Sequence, residues 1–221
     1  MTINNKILII SPHCDDESYG MGGTILKKID LKFEVFILVI CAGNINFEHS
    51  GPIDRSVRIN EFNCVLKLYN CLGRVANFYQ ESQLDRVPLV NIINEIEHTQ
   101  DLFKADTWYV PGLSFHQDHR IVYEAYAAAA RPTRKNVPKE IYSYEHPLYS
   151  WNPPVWRFIP HVYENIEKYL DQKIEICELY KSQLRNNVLG IKHIREYSVA
   201  CGTEAGFGSA ERFSVERIIK V

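Results

Sequence analysis

The 221-residue chain has no CxxC pair among its six cysteines, no long block of like charge and no internal repeat. It also has no apolar stretch long enough to span a bilayer. Each absence removes a class of protein. Cys14, Cys41, Cys64, Cys71, Cys177 and Cys201 are scattered, mostly in apolar surroundings, and read as small buried thiols, neither zinc ligands nor a disulfide framework. A net charge of −2 lacks the basic excess of a nucleic-acid binder. Without a charge run there is no sign of a disordered tail. The N-terminal apolar run Ile7-Leu8-Ile9-Ile10 is short, has no small-residue cleavage site and ends at a histidine and acids, so it reads as a strand and not a signal peptide. Reduced thiols and no export signal point to the cytoplasm. Gly20-Met21-Gly22-Gly23 does not have GxGxxG spacing, and the second predicted strand ends in Cys41-Ala42, with no acid to hold a ribose. These glycines are expected to let a helix pack closely on a sheet.

What is present is an ordinary globular composition, 46% hydrophobic and 24% charged, at a length that suits one α/β domain. Short β-rich runs alternate with longer amphipathic stretches, the pattern of βαβ units around a mostly parallel sheet. Strands are predicted at Lys6–Ser11, Phe33–Cys41, Val75–Tyr79, Thr107–Val110 and Ile141–Tyr144. Helices are predicted at Gly20–Ile29, Arg55–Leu72, Val87–Phe103 and Asp118–Ala129. From Arg131 the character changes to an irregular stretch with Pro132, Pro138, Pro147, Pro153 and Pro154. A long helix is expected at Val162–Gln183, then a polar segment, then a strand near Phe213–Val221. Residues 1–221 are read as one domain, with a core at 1–131 and a C-terminal elaboration at 132–221. Tyr149, Trp151, Trp156 and Phe115 read either as core aromatics or as a sugar-stacking wall.

Two clusters carry the chemistry. His13-Cys14-Asp15-Asp16-Glu17 crowds an imidazole and three carboxylates behind a buried strand, and burying like charges without a counter-charge is costly. A bound cation resolves the conflict. The second cluster is His116-Gln117-Asp118-His119. Both fall at the carboxyl ends of predicted strands, where ligands bind in open α/β sheets, so they are expected to face one crevice. His13, Asp16 and His119 make a two-His, one-carboxylate set of the kind that holds catalytic zinc and leaves a position open for water. Asp15 is then free to act as general base. His116 suits the stabilising of an oxyanion or the protonation of a leaving group, and Asp118 the orienting of a neighbouring ring.

These residues resemble a known family. Pro12-His13-Cys14-Asp15-Asp16-Glu17, followed by Gly22-Gly23-Thr24, is similar to the first signature of the LmbE-like (PIG-L) zinc N-deacetylases. His116-Gln117-Asp118-His119-Arg120 resembles the second, and Arg58-Ile59-Asn60-Glu61 the helical Arg-x-x-Glu element. Tyr180–Gln183 and the Gly202, Glu211, Phe213 pattern are similar as well. The resemblance implies a Rossmann-like three-layer α/β/α fold and removal of an acyl group, usually acetyl, from an amino sugar or small sugar conjugate. It implies His13, Asp16 and His119 as ligands of Zn²⁺, with Fe²⁺ as the alternative, and Asp15 as base. It also implies His116 as the oxyanion or acid histidine partnered by Asp118, and Arg58 as a substrate contact, with nearby Arg55 as a competing candidate. No nucleic acid or membrane span is implied, and a homo-oligomer is left open.

Two departures stand out. Pro12 precedes the histidine and Cys14 follows it, where the family usually has His-Pro-Asp-Asp-Glu. Ser114 stands where some members place an oxyanion-helping tyrosine, and Tyr197 is a candidate substitute. The same ligand set suits a non-haem iron oxygenase, but Asp15 and the His116/Asp118 pair are an acid–base complement such an enzyme does not need. A non-catalytic metal-dependent sugar-binding protein is the remaining rival.

Overall fold

The computed structural model describes residues 5–47, 51–149, 151–184 and 190–220. In chain order the elements are β1 (Lys6–Ser11), α1 (Asp16–Asp30), β2 (Glu34–Cys41), β3 (Ile45–Phe47), β4 (Gly51–Ile53), α2 (Arg55–Tyr69), β5 (Leu72–Tyr79) and α3 (Leu89–Phe103). Then follow β6 (Thr107–Pro111), α4 (Gln117–Ala129), β7 (Glu140–Tyr144), β8 (Val162–Asn165), α5 (Leu170–Cys177), α6 (Lys181–Leu184), α7 (Gly190–Ala205) and β9 (Ala210–Ile218).

Seven strands make one sheet in the order β5-β2-β1-β6-β7-β9-β8. The five strands from β5 to β7 are parallel, and β9 and β8 add antiparallel pairs at one edge. The alternation of side chains along a strand sorts the core into two layers. Ile7, Ile9, Val35, Ile37 and Val39 face one way, with Phe62 and Val65 of α2, Ile174 of α5 and Ile194 of α7. Leu8, Ile10, Leu38, Ile40 and Trp108 face the other, with Ile92 and Ile96 of α3 and Val122 of α4. A sheet buried on both faces needs apolar residues at every position, which is why β1 and β2 read as continuous runs.

The chain winds outward from β1 through β2 to β5, then crosses back to β6 on the other side of β1. Strand order therefore reverses between β1 and β6, and a crevice opens at their carboxyl ends. That crevice receives the His13–Glu17 and His116–His119 loops.

Four expectations are corrected. Helix α1 starts at Asp16, not Gly20, so its acids form the first turn, where they meet the positive end of the helix dipole. The long helix expected over Val162–Gln183 is broken: Val162–Asn165 pairs with Ala210–Phe213 as the edge strand β8, and only α5 and α6 remain helical. The expected polar segment is the sixteen-residue helix α7. Its buried face includes Gly190, Ser198, Cys201 and Gly202 beside Ile194, too little apolar bulk to show periodicity. The last strand is Ala210–Ile218; Val221 lies outside the described residues. The glycine reading fits at Gly20, where a Cβ would come within 2.5 Å of Tyr144 in β7. Gly22 and Gly23 pack elsewhere, a Cβ on Gly22 coming within 2.9 Å of the Tyr69 hydroxyl of α2 and one on Gly23 within 2.8 Å of Ile166, just past β8.

Candidate active site

Between β1 and α1 the backbone turns sharply enough to put Asp15 at φ 151°, ψ −33°, a conformation costly for any residue but glycine. The neighbouring acid pins it there. Glu17, fully buried, accepts from the Asp15 N–H (3.2 Å), the Ser18 hydroxyl (2.8 Å) and the Tyr180 hydroxyl (2.5 Å). Burial raises the Glu17 carboxyl above its ordinary value, against those hydroxyl bonds.

Across the crevice the two clusters meet. His13 Nδ1 lies 3.1 Å from one oxygen of Asp16, and His119 Nε2 lies 3.3 Å from the other. One donor atom from each of His13, Asp16 and His119 falls within 4.8 Å of the others, and all three residues are buried. His119 Nε2 has no hydrogen-bond partner among the described residues. A buried nitrogen without a hydrogen-bond partner, facing a carboxylate and a second imidazole, is the donor chemistry a divalent metal takes, so the donor set fits one. The electrostatics agree. Although burial works against it, Asp16 and Asp118 carry the His13 imidazole up to about 10. His119 and His13 hold the Asp16 carboxyl well below the usual range despite its burial. Burial and the Asp16 charge push Asp15 well above it, against the pull of Arg58 and His13.

Asp118 sits differently from expectation. Its carboxylate reaches His13 Nε2 (3.0 Å) and also accepts from the backbone N–H groups of Ser82 (2.6 Å) and Leu84 (3.2 Å). It meets His116 only through its own N–H, which donates to His116 Nδ1 (3.2 Å). That bond leaves the ring proton of a neutral His116 on Nε2. Burial, then His13 and His119, pull the His116 imidazole down to about 4. His13, Asp118 and Cys41 form a second grouping of donor atoms. Three donors already occupy the Asp118 carboxylate, and burial pushes the Cys41 thiol up to about 11, so this grouping is the poorer metal site.

Arg58, on the first turns of α2, is buried and ion-paired with Glu81. Cys14 is buried, and its thiol is driven well above its ordinary value first by desolvation, which makes it an inert packing group. Tyr197 is committed elsewhere: its hydroxyl bonds Glu145 and lies 2.7 Å from an Arg212 nitrogen. Ser114 accepts from the His116 N–H (3.2 Å).

Sequence reasoning missed a third wall. His146, just past β7, places Nε2 3.4 Å from Asp16, accepts at Nδ1 from the Leu148 N–H, and stacks on Tyr149 with centroids 4.1 Å apart. Burial pulls its imidazole down to about 3. A cavity of about 310 Å³ opens here, lined by Asp15, Tyr19, His146, Tyr149, Gln183 and His193 among others. The signal was available, because β7 is the next parallel strand and its carboxyl end faces the same crevice. Of the suggested aromatic wall, Tyr149, Phe115 and Trp151 cluster together, while Trp156 lies under the Arg120 guanidinium, 4.7 Å from its ring. Among the described residues no helix is long and apolar enough to cross a membrane.

Comparison with known proteins bears on this geometry. Residues 8–130 match the PIG-L family, described as GlcNAc-PI de-N-acetylase. The chain is 23% identical over 212 residues to a probable N-acetyl-alpha-D-glucosaminyl L-malate deacetylase 2 of Bacillus anthracis, covering 89% of this chain and 88% of the relative. It is 27% identical over 183 residues to the uncharacterized deacetylase YaiS of Escherichia coli (strain K12), covering 80% and 90%. The solved N,N'-diacetylchitobiose deacetylase from Pyrococcus horikoshii superposes with a TM-score of 0.77 at 20% identity, over 96% of this chain and 83% of that one.

Proposed function

The chain belongs to the PIG-L family of deacetylases, and from that premise we propose that it hydrolyses the N-acetyl group of an amino sugar or small sugar conjugate, using one divalent metal held by His13, Asp16 and His119. The observation that carries this reading is the convergence of those three donors around the orphaned His119 nitrogen, with Asp15 beside them. The donor set suits Zn²⁺, with Fe²⁺ as the alternative. When bound, such an ion acidifies water and polarises the amide carbonyl.

The remaining chemistry belongs to the chain. Asp15 lies next to Asp16 and lines the cavity, which supports it as the group that takes a proton from the attacking water. Its strained backbone fixes that position. His116 presents its Nε2–H to the oxyanion of the tetrahedral intermediate, since Nδ1 is already engaged as an acceptor. Collapse of the intermediate breaks the C–N bond, and the departing nitrogen takes up a proton to leave as free amine, with acetate as the second product. Arg58 is assigned to substrate orientation by its match to the family's helical Arg-x-x-Glu element; in the fold it is buried and paired with Glu81. Asp118 holds His13 and so orients a ligand.

The test is amine release from a panel of N-acetylated sugars by protein reconstituted with Zn²⁺ or Fe²⁺, beside an Asp15→Asn variant. Release is expected from the wild type and a drop of about 10²–10⁴-fold in the variant at equal metal content. Release that survives unchanged in the variant removes Asp15 as the base. No release from any substrate, with metal bound, removes the deacetylase reading.

A further inference from the structure

A continuous run of ring contacts leads from the metal donors to the outside of the protein. Tyr149 meets His119 edge-on at 5.2 Å and His116 in a stack at 5.8 Å. Phe115 lies 5.0 Å beyond Tyr149, and Trp151 lies 6.3 Å beyond Phe115. Exposure climbs along the run, from 2% at His119 to 39% at Phe115 and 75% at Trp151. A tryptophan left this exposed gives up most of the burial its indole could gain, and an apolar patch joined to a cleft marks a ligand surface.

The strip is also rigidly built. Asn152 accepts from the Phe115 N–H (3.0 Å) and donates to the Tyr149 carbonyl (3.1 Å), so one side chain ties together the two loops that carry the rings. Arg120 adds a second tie by donating to the Phe115 carbonyl. Phe115 and Trp151 are tilted 54° to one another, so their fixed faces make an open, angled wall with polar edges, suited to a puckered, amphipathic partner.

The geometry points to a second-sugar subsite: Phe115 and Trp151 take the ring next to the N-acetylated one, so the substrate is a disaccharide or larger glycan and not a free monosaccharide. The subsite rests on the deacetylase reading of the metal centre, because the acetylated ring must sit at Asp15 for its neighbour to reach Phe115. A sugar ring fits better than an alkyl chain. It offers C–H faces to the aromatic planes and hydroxyls to Asn152 at the rim, whereas an alkyl chain calls for an enclosed apolar trough. Phe115 and Trp151 stand open instead.

The experiment measures binding apart from turnover. Zn²⁺-loaded Asp15→Asn protein is titrated calorimetrically with N-acetylglucosamine and with a panel of its disaccharides, with and without the exposed-site changes Trp151→Ala and Phe115→Ala. At least one disaccharide is expected to bind about tenfold more tightly than the monosaccharide, the scale of one aromatic stacking contact, and either change should bring that ratio close to one. The subsite is overturned if no disaccharide exceeds the monosaccharide, if neither sugar binds, or if the ratio survives Trp151→Ala. Binding to phosphatidylcholine vesicles that Trp151→Ala abolishes, without any sugar preference, overturns it in favour of a lipid surface. If the ratio behaves as expected while Asp15-intact protein releases no amine, the subsite stands and only the deacetylase reading fails.

Discussion

Asp118 Oδ2 lies 3.0 Å from His13 Nε2, on the side of the ring opposite the nitrogen that faces Asp16. The carboxylate therefore braces His13, one of the proposed metal ligands, while His116 receives only the Asp118 backbone N–H. Carboxylate–histidine–metal chains of this kind fix the ring's tautomer and raise its basicity.

Replacing Asp118 with Asn keeps the side chain's shape but removes its charge, and is expected to weaken metal binding by about 10–100-fold. Competition against a chromogenic chelator measures this directly. Unchanged metal affinity combined with a shifted pH profile of turnover would instead tie Asp118 to His116.

Asp15 pairs function with strain. Its φ of 151° is held by the Glu17 carboxylate on its N–H, and a non-glycine residue in such a region costs about 1–3 kcal/mol. Asp15→Gly should therefore be more stable than Asp15→Asn by about 1 kcal/mol, after the extra chain entropy of glycine is counted. Both lack the proposed base and should lose about 10²–10⁴-fold in amine release. Urea denaturation of the two metal-free variants decides it; an asparagine variant at least as stable as the glycine one shows that no strain is stored there.

The two candidate metal-binding loops were legible because each packs its chemistry into a few consecutive residues next to an apolar run. The parallel strands were legible because a sheet covered on both faces shows as β1 and β2 do. His146 was harder to read, because it comes from a proline- and aromatic-rich connection with no spacing of its own, and its one signal was the end of the strand predicted at Ile141–Tyr144, which the place of β7 beside β6 brings to the crevice. The Arg58–Glu81 pair was hidden for a related reason: it joins the start of α2 to the loop after β5. Strand β8 was read as helix because Val162–Asn165 is a partly buried edge strand whose state is set by pairing with β9 and not by its own periodicity. Helix α7 buries small and polar residues beside Ile194, so it carried no apolar stripe to read.

Glu164 joins β8 to α1 through Lys27 (2.6 Å) and Lys28 (3.0 Å). Burial works to raise its carboxyl, but the two ammonium groups prevail and hold it below the ordinary value. A folded-state value depressed in this way contributes stability above the unfolded value near 4.5 and loses it as pH falls through the folded value. Glu164→Gln should thus cost up to about 1 kcal/mol at neutral pH and progressively less in acid, the pair being partly exposed. Denaturation of both proteins across that range checks the sign; a cost that grows in acid would contradict it.

Glu211 and Lys173 form a buried pair at 2.7 Å, but their losses should not be equal. Helix α1 is kinked at Met21 (φ −146°), and beyond the kink the N–H groups of Gly23 and Thr24 donate to Glu211 at 2.9 and 2.6 Å. Removing the carboxylate leaves two backbone donors without partners and a buried ammonium with only the Ser198 hydroxyl at 3.4 Å, whereas removing the lysine leaves a carboxylate that still accepts two N–H bonds. Glu211→Leu is therefore expected to cost about 3–5 kcal/mol, and Lys173→Met clearly less. Because α1 carries Asp16 in its first turn, a kink that loses its acceptor should also loosen the ligand set, so Glu211→Leu should lower metal affinity while Lys173→Met largely preserves it. Paired denaturation and chelator competition test both halves. Equal costs for the two substitutions would mean that the ion pair alone, and not the capped kink, is what Glu211 supplies.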